Sequence, residues 1–483
     1  MRISSSTIFD TNVAMLGQQQ TRLMQTQQQI STGRRILTAA DDPVAAARAL
    51  DITQSDATIT QYAANRDAAR NTLSLAESTL QSVTTLLQDV KTAAITAGNG
   101  SLNNSDRQTI ATGLSGRLQE LIGLANSTDG AGNYLFSGFQ SGTMPFVNVA
   151  GVMTYNGDDG QRLKQVSASR QIASSDSGAD IFMRVKSGNG TFTTQPVATN
   201  TGSGVISAGS VINPAAMTGD RYSIVFDPLA TSTAASGTIS TPTVIPGSPT
   251  TGHDYSISIA AGAPNTYSVL DTTTNTTVTG NVAVTNPIIF DGISLAFSAV
   301  PVAGDVFNVA APTYTVTDVT TGATVATAQK YASGQAISLA GMQFDIQGIP
   351  RPNDQFTVQP SGDVSIFKTI SDLIAALNTP VGVGSATQSA ALTNSLNAAM
   401  SQIDRGLNNV LTTRATMGLR LNEIDALHVT GSDLSYQLKQ TLSALQDVDY
   451  NKAISDLTQQ DMTLKATQQS FVKVAALSLF NYL

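Results

Sequence analysis

Apolar residues follow two different rhythms along this chain. Near the start, Leu16, Leu23, Ile30 and Leu37 stand seven apart, separated mainly by Gln, Thr and Arg. Thr32-Gly33-Arg34-Arg35 weakens this first helix near its end. Asp42 before Pro43 then predicts a restart, with the carboxylate capping free amides and the proline ring where no amide is needed. Ile52, Ile59, Leu73, Leu80 and Leu87 share one heptad position, interrupted by Arg66. Tyr62, Ala69, Ala76, Val83 and Val90 fill the position three residues on. Such sustained spacing predicts coiled-coil packing. Gly98-Asn99-Gly100 predicts a stop, and Ser105 with Gln108 a capping box opening a third helix over Ile110, Leu114, Leu118 and Leu121. The other end mirrors this pattern. Leu396, Ile403, Val410, Met417 and Ile424 recur at sevens, Gly431-Ser432 predicts a break, and a last helix carries Leu438, Leu442, Leu445 and Val448, then Leu457, Leu464 and Phe471.

Between Phe136 and Pro360 the period changes to two, the signature of strands. Tyr155-Asn156-Gly157-Asp158-Asp159-Gly160 predicts a hairpin turn. Phe290 to Val309 aligns without gaps on Leu339 to Val358. Gly292 falls on Gly341, Leu295 on Phe344, Pro301 on Pro350, and Asp305-x-Phe307-x-Val309 on Asp354-x-Phe356-x-Val358. Asp220-Arg221-Tyr222-Ser223-Ile224 reads as a looser third copy of that ending. The repeat predicts a β-hairpin unit used at least twice within a sandwich. Thr/Ser/Gly-rich stretches at 193–210 and 228–252 predict spacers, and Val381 to Ala386 a flexible loop.

The expected fold is therefore α+β and multidomain: a coiled-coil-like bundle of N- and C-terminal helices with a central all-β, sandwich-like insertion. The boundaries read as terminal helices at 1–42 and 436–483, a helical rod with a β-hairpin at 43–170 and 362–435, and a β-rich outer region at 171–361 of one or two subdomains. Helices 45–96 and 390–428 can pair within one chain. Their stripes, Ile52, Ile59, Leu73, Leu80, Leu87, Leu396, Ile403, Val410, Met417 and Ile424, are the expected bundle core. The outermost segments, 10–38 and 450–478, are narrow-striped and Gln-rich. Alone they bury too little apolar area to offset ordering entropy, so they are expected to gain order on assembly. Leu16, Leu23, Ile30, Leu457, Leu464 and Phe471 are the expected assembly interface.

Composition narrows the function. Hydrophobic residues make up 41% and charged residues only 12%, against about 25% in ordinary domains. Glu occurs only at Glu77, Glu120 and Glu423. The net charge of −8 offers no stripe for phosphates, so nucleic acid is not an expected partner. Cysteine is absent, which removes disulfides and thiolate chemistry. The N-terminus lacks the apolar core of a signal peptide, and no run is long enough to span a membrane.

No catalytic constellation emerges. His253 and His428 are the only histidines, and neither has a second one at metal-ligand spacing. Asp41/Asp42 and Asp158/Asp159 read as a helix start and a turn. The Asp158/Asp159 turn has no bidentate Glu, which leaves calcium weakly supported. Gly382-x-Gly384 follows no strand–turn–helix signal. The expectation is a non-enzymatic chain without cofactor or metal.

Specific motifs then add a resemblance. Ile30-Ser31-Thr32-Gly33-Arg34-Arg35-Ile36 with Ala40-Asp41-Asp42-Pro43-Val44-Ala45 resembles the N-terminal signature of the flagellin family. Thr413-Arg414-Ala415-Thr416-Met417-Gly418 through Leu421-Asn422 resembles its C-terminal segment. Within that family, the opening Met1-Arg2-Ile3-Ser4, Asn133-Tyr134-Leu135-Phe136-Ser137-Gly138 and the ending Leu477-Ser478-Leu479-Phe480-Asn481-Tyr482-Leu483 look like members that adapt the flagellar hook to the filament. The resemblance covers about 1–170 and 362–483 and leaves out the β body.

The resemblance implies a structural subunit at the hook–filament junction of an extracellular bacterial flagellum. It implies export unfolded through the type III apparatus, with a chaperone and no cleaved signal. It also implies self-assembly into a ring-like junction between a neighbouring junction protein and flagellin. The terminal helices would form the inner tube, the next helices a shell, and the β body would face outward. Three rivals remain: a filament flagellin, a secreted adhesin on a helical stalk, and a glycan-acting enzyme, the last disfavoured by the scarcity of His and Glu.

Overall fold

The computed structural model describes residues 5–228, 231–232, 239, 243–245 and 252–480. The opening Met1-Arg2-Ile3-Ser4, the closing Asn481-Tyr482-Leu483 and most of the 228–252 stretch lie outside the described residues.

Six α-helices are described: α1 (Ser5–Thr32), α2 (Pro43–Ala97), α3 (Asn104–Ala125), α4 (Ile366–Asn378), α5 (Ala386–Gln446) and α6 (Tyr450–Phe480). Gly33, at φ 71°, follows the last residue of α1, and the Asp42 carboxylate accepts the Ala45 amide at 3.0 Å to start α2. The capping box of α3 sits two residues earlier than Ser105/Gln108. Asn103 accepts the Asp106 amide at 3.0 Å and Asp106 accepts the Asn103 amide at 3.1 Å, because the short Asn and Asp side chains reach these amides directly. Helix α4 has no counterpart in the sequence reading. Its buried Ile366, Phe367, Ile370, Leu373 and Leu377 form one face, and Ser365 caps it through the Lys368 amide.

The expected break at Gly431-Ser432 does not occur. Helix α5 runs unbroken to Gln446, and the chain breaks instead at Asp447–Asp449. Gly431 is small for another reason. A Cβ there would lie 2.5 Å from Arg66 Nη2, so the glycine admits a side chain from α2.

The chain divides into two compact units. The first comprises Met1–Asn71, Leu163–Ile172 and Arg420–Leu483. In it α1 runs antiparallel to α6: the Phe9 and Phe471 rings meet at 5.1 Å at one end, and the Val448 amide donates to the Gly33 carbonyl at 3.0 Å at the other. A hairpin of β3 (Leu163–Ser167) and β4 (Arg170–Ala173) is tied to α2, where Asn65 Nδ2 donates to the Gln165 carbonyl at 2.8 Å. It is tied to α5 by Arg170, which grips Glu423 at 2.5 and 2.8 Å.

The second unit comprises Thr72–Arg162 and Ala173–Leu419. Leu73, Leu80, Leu87, Leu396, Ile403, Val410 and Met417 are all buried here. Strands β1 (Phe146–Val149) and β2 (Val152–Tyr155) form a hairpin of their own. Tyr155–Gly160 is therefore not a hairpin turn. It links two separate hairpins, and Asp158 folds it back by accepting the amides of Phe139 and Gly160, each at 2.8 Å. Phe146 packs on Tyr155, Phe182 and Phe367 at 5.2, 5.4 and 5.2 Å, which fastens the hairpin to α4.

Two sandwich modules make up the β body. After the short β5 (Val185–Lys186), which pairs with β23 (Asp363–Val364), the first module holds β6 (Phe192–Pro196), β7 (Val205–Ile206), β8 (Ser210–Val211) and β9 (Tyr222–Phe226). It resumes with β18 (Thr313–Asp318), β19 (Thr324–Lys330), β20 (Ala336–Leu339), β21 (Met342–Gln347) and β22 (Gln355–Pro360). One sheet has the order β19-β18-β9-β22-β6, and the other pairs β20 with β21 and β21 with β7 and β8. The second module holds β10 (Thr231–Ser232), β11 (Thr243–Val244), β12 (Tyr255–Ala260), β13 (Thr266–Asp271), β14 (Thr276–Ala283), β15 (Ile288–Phe290), β16 (Ile293–Leu295) and β17 (Val306–Val309). Its sheets have the orders β14-β13-β12-β17-β10 and β15-β16-β11.

The second module repeats the first in strand order and register, with the isolated Ile239–Phe297 bridge standing where β7 pairs with β21. Tyr222 pairs with Val358 on one side and Asp318 on the other; Tyr255 pairs with Val309 and Asp271. Thr313 opposes Lys330 as Thr266 opposes Ala283, with register shifts at equivalent places. Asp318 accepts the amides of Thr320 and Thr321, and Asp271 those of Thr273 and Thr274. The hairpins turn at Ala340-Gly341 and Asp291-Gly292, all four residues at positive φ. Phe356, Val358, Ile224 and Val316 fill one core; Phe307, Val309, Ile257 and Val269 fill the other. The second module is inserted whole between β9 and β18, where the Asp227 amide donates to the Thr313 carbonyl at 2.9 Å.

This arrangement corrects three readings of the β body. The repeated unit is not a hairpin: β16 and β17, like β21 and β22, lie in different sheets, and the Pro/Gly/Asp turn carries the chain across the sandwich. Asp305 and Asp354 hold that crossing by accepting the amides of Val302 and Arg351 at 2.9 and 2.8 Å. Residues 193–210 are not a spacer, because most of β6, all of β7 and the start of β8 lie there. Tyr222-Ser223-Ile224 corresponds to Tyr255-Ser256-Ile257 in β12, not to the ending of the repeat.

Candidate assembly surfaces

The pairing of α1 with α6 rests on a thin seam. Leu464 is buried, as are Ala453 and Thr26, whose hydroxyl meets Gln460 at 3.0 Å. Leu16, Leu23, Ile30, Leu457 and Phe471 are only half-buried. Around them Phe9 (51% exposed), Met24 (60%) and Val472 (65%) face outward, with Val13, Met15, Ile454 and Met462. Two isolated helices that leave this much apolar side chain in water offer a surface rather than a finished core. Helix α1 carries a single acid, Asp10, and a single base, Arg22. Helix α6 adds Lys452, Asp456, Asp461, Lys465 and Lys473, so the charge that contact would have to desolvate lies almost wholly on α6.

An elbow fixes this pair to the rest of its unit, and the residues of the N-terminal signature build it. Arg35 donates its backbone N–H to the Gln446 carbonyl at 2.6 Å and its Nη2 to the Leu445 carbonyl at 2.8 Å. Asp41 gathers the amides of Thr38 and Leu37 at 2.8 and 3.0 Å and the Gln25 side chain at 2.9 Å. These bonds, the Thr38 amide foremost, hold its carboxyl below the usual carboxylate range. Asp449 starts α6 by accepting the amides of Asn451 and Lys452. Sequence reasoning missed this joint, since Asp447–Asp449 carries neither glycine nor proline.

Below the elbow Ile52 and Ile59 are half-buried, whereas Ile424 is buried. The three glutamates are all engaged. Arg414 donates to Glu77 at 2.7 Å, Arg117 to Glu120 at 3.0 Å, and Arg170 to Glu423, whose pKa that bond lowers. Arg414 belongs to the C-terminal signature, and its partner Glu77 follows Ala76 of the α2 stripe. Of the other signature residues, Phe136 is buried, and Gly138 lets the chain pass the Asp158 carboxylate, which a Cβ would overlap at 2.2 Å.

The two histidines lie apart from one another in role and place. His253 Nδ1 faces the Asp271 carboxylate at 2.6 Å in the second module, and His428 is exposed on α5. Among the described residues no group of three His, Asp or Glu is placed to hold a metal, and no helix is long and apolar enough to cross a membrane.

Comparison with known proteins places these features. Residues 3–141 match the bacterial flagellin N-terminal helical region. The chain is 37% identical to flagellar hook-associated protein 3 of Salmonella typhimurium over 187 residues, which cover 39% of this chain and 58% of that protein. It is 25% identical to flagellar hook-associated protein 3 of Escherichia coli over 484 aligned positions, 99% of each chain. The crystal structure of the flagellar junction protein FlgL from Legionella pneumophila superposes with a TM-score of 0.60 at 27% identity, covering 82% of this chain and 100% of that one. The chain thus carries the flagellin N-terminal helical region over residues 3–141 and is similar along almost its whole length to flagellar hook-associated protein 3 of Escherichia coli.

Proposed function

We propose that this protein is a structural subunit of the bacterial flagellum that joins hook to filament. The observation that carries the reading is its similarity to hook-associated protein 3 over 99% of the chain and to a flagellar junction protein over 82% of it. The paired ends support it, since α1 and α6 leave apolar side chains exposed that side-by-side packing of copies would cover. In this reading Leu16, Leu23, Ile30, Leu457, Leu464 and Phe471 lie between the two ends of one chain and between neighbouring copies. The pair at 1–42 and 436–483 lines a tube, the bundle surrounds it, and the β modules point outward. The ends gain their lasting order from sister copies, and the ring sits between a second junction protein and flagellin. A dedicated chaperone shields the ends before export, which proceeds without a cleaved signal. The role is mechanical, and no reaction is assigned to any residue.

Immunogold labelling of isolated flagella tests the assignment. A short labelled zone at the hook end is the expected result. Label along the whole filament would make the chain a filament flagellin, and label on the cell surface without flagella would favour an adhesin.

A further inference from the structure

Arg66, the residue that interrupts the α2 heptad stripe, is 3% exposed. Its Nη1 donates to the Val166 carbonyl at 2.8 Å, while its Nε is buried without a partner. Among the described residues no carboxylate forms an ion pair with it, and burial lowers its pKa. The charge of the adjacent Asp67 opposes that shift without reversing it, and a buried cation with no carboxylate paired to it is costly. Beside it, between α2 and α5, opens a cavity of about 370 Å³ lined by Arg66, Ala63, Gly431, Ser432, Tyr436 and Lys439, among others. No lining residue is acidic. The carboxylate that reaches this wall, Asp56, is engaged by the Ser435 hydroxyl at 2.6 Å. Lys439 is exposed and has no ion-pair partner among the described residues. Gly431 keeps the guanidinium reachable, because any Cβ there would crowd Nη2.

We propose that this slot receives an acidic side chain from a second copy of the chain, with Arg66 and Lys439 as the two cations that bind it. The slot offers what a carboxylate needs: a buried guanidinium, an exposed ammonium, and serine and tyrosine hydroxyls in the same lining. A second copy is the occupant because the helices around the slot carry the rest of a like-to-like contact. Val44, Leu50, Val429 and Leu434 are exposed on α2 and α5. Asp51, Asp67 and Asp433 are exposed on the same two helices. Copies packed side by side at one level bring these segments face to face, acid against slot. The proposal rests on the assembly-subunit reading and adds the charge pairing that sets the register of neighbours.

The full-length protein tests it. Lys439→Glu reverses the charge on an exposed side chain of the lining, so the melting profile of the purified monomer stays unchanged. Occupancy on flagella falls by about tenfold or more, as for a broken interfacial charge pair. A photo-crosslinking residue in place of Ser432 then captures a peptide of a second copy bearing Asp51, Asp67 or Asp433. Reversing the captured acid to Lys restores the Lys439→Glu variant. Normal occupancy of Lys439→Glu overturns the proposal, as does a cross-link to a different flagellar protein or none at all. Absence of the unaltered protein from flagella would instead overturn the assembly reading itself.

Discussion

The Val448 amide donates to the Gly33 carbonyl at 3.0 Å, which pins the break between α1 and α2 against the break between α5 and α6. Gly33 sits at φ 71°, and its missing Cβ would lie 3.1 Å from the Tyr450 hydroxyl. Gly33→Ala forces a left-handed residue with a side chain, at a cost of roughly 1–2 kcal/mol. The expected outcome is faster hydrogen exchange in both 5–32 and 450–480, with exchange in the β modules unchanged. Loss of protection in only one of the two helices would argue that the elbow does not couple them.

Leu464 is the most buried member of the proposed interface. Leu464→Asp places a charge in the seam between α1 and α6, a change worth several kcal/mol in a packed setting. The β modules keep their thermal transition, and the variant fails to enter the flagellum. Normal swimming of cells carrying only this variant would count heavily against the seam as an assembly element.

The insertion of the second module predicts that it can be removed cleanly. Asp227 and Thr313 are already hydrogen-bonded, and the equivalent strands β12 and β13 are joined by only Ala261-Gly262-Ala263-Pro264-Asn265. Replacing 228–312 with those five residues leaves the first module folded, its melting temperature within about 5 °C of the parent, a shift near 1 kcal/mol. Calorimetry checks this. An unfolded product would mean that the first module depends on its copy.

Acid should weaken the second module through Asp271. Burial alone would raise its pKa, but bonds from Thr274, His253 and Thr273 outweigh burial and lower it from 3.8 to about 2. A carboxyl depressed in the folded state stabilises fully above its ordinary value, and that contribution is lost as pH falls toward 2. Tyrosine emission reports the loss, since Tyr255 and Tyr267 are buried there and the chain has no tryptophan. Asp271→Asn lowers stability at neutral pH and flattens the dependence between pH 4 and 2. An unchanged acid profile in that variant would remove Asp271 from the explanation.

The helices were legible wherever a stripe ran long enough to outvote local signals. Leu73 to Leu87 and Leu396 to Met417 read as core because each repeats over several heptads, and they are buried. Gly431 misled for the opposite reason: one residue read locally as a breaker, when a side chain 365 positions earlier explains it. Helix α4 escaped notice because its buried face spans barely three turns directly after a strand. The gapless repeat exposed only the strands from β15 to β17 and from β20 to β22. A second gapless match escaped notice: Thr266-Tyr267-x-Val269-x-Asp271-x-Thr273-Thr274 in β13 and its turn falls on Thr313-Tyr314-x-Val316-x-Asp318-x-Thr320-Thr321 in β18 and its turn, while β12 and β9 share little more than Tyr-Ser-Ile. For the assembly surface, spacing located Leu16 and Leu464 on their helices. Which side of those helices stays uncovered depends on burial, which is a property of the folded pair.

Because α1 (Ser5–Thr32) runs antiparallel to α6 (Tyr450–Phe480), each needs a mate from a distant part of the chain. A molecule truncated upstream of Tyr450 would present α1 bare, with nothing to zip against. The α1–α6 seam therefore forms only in molecules that carry both segments, and a copy lacking either has no joined surface to offer.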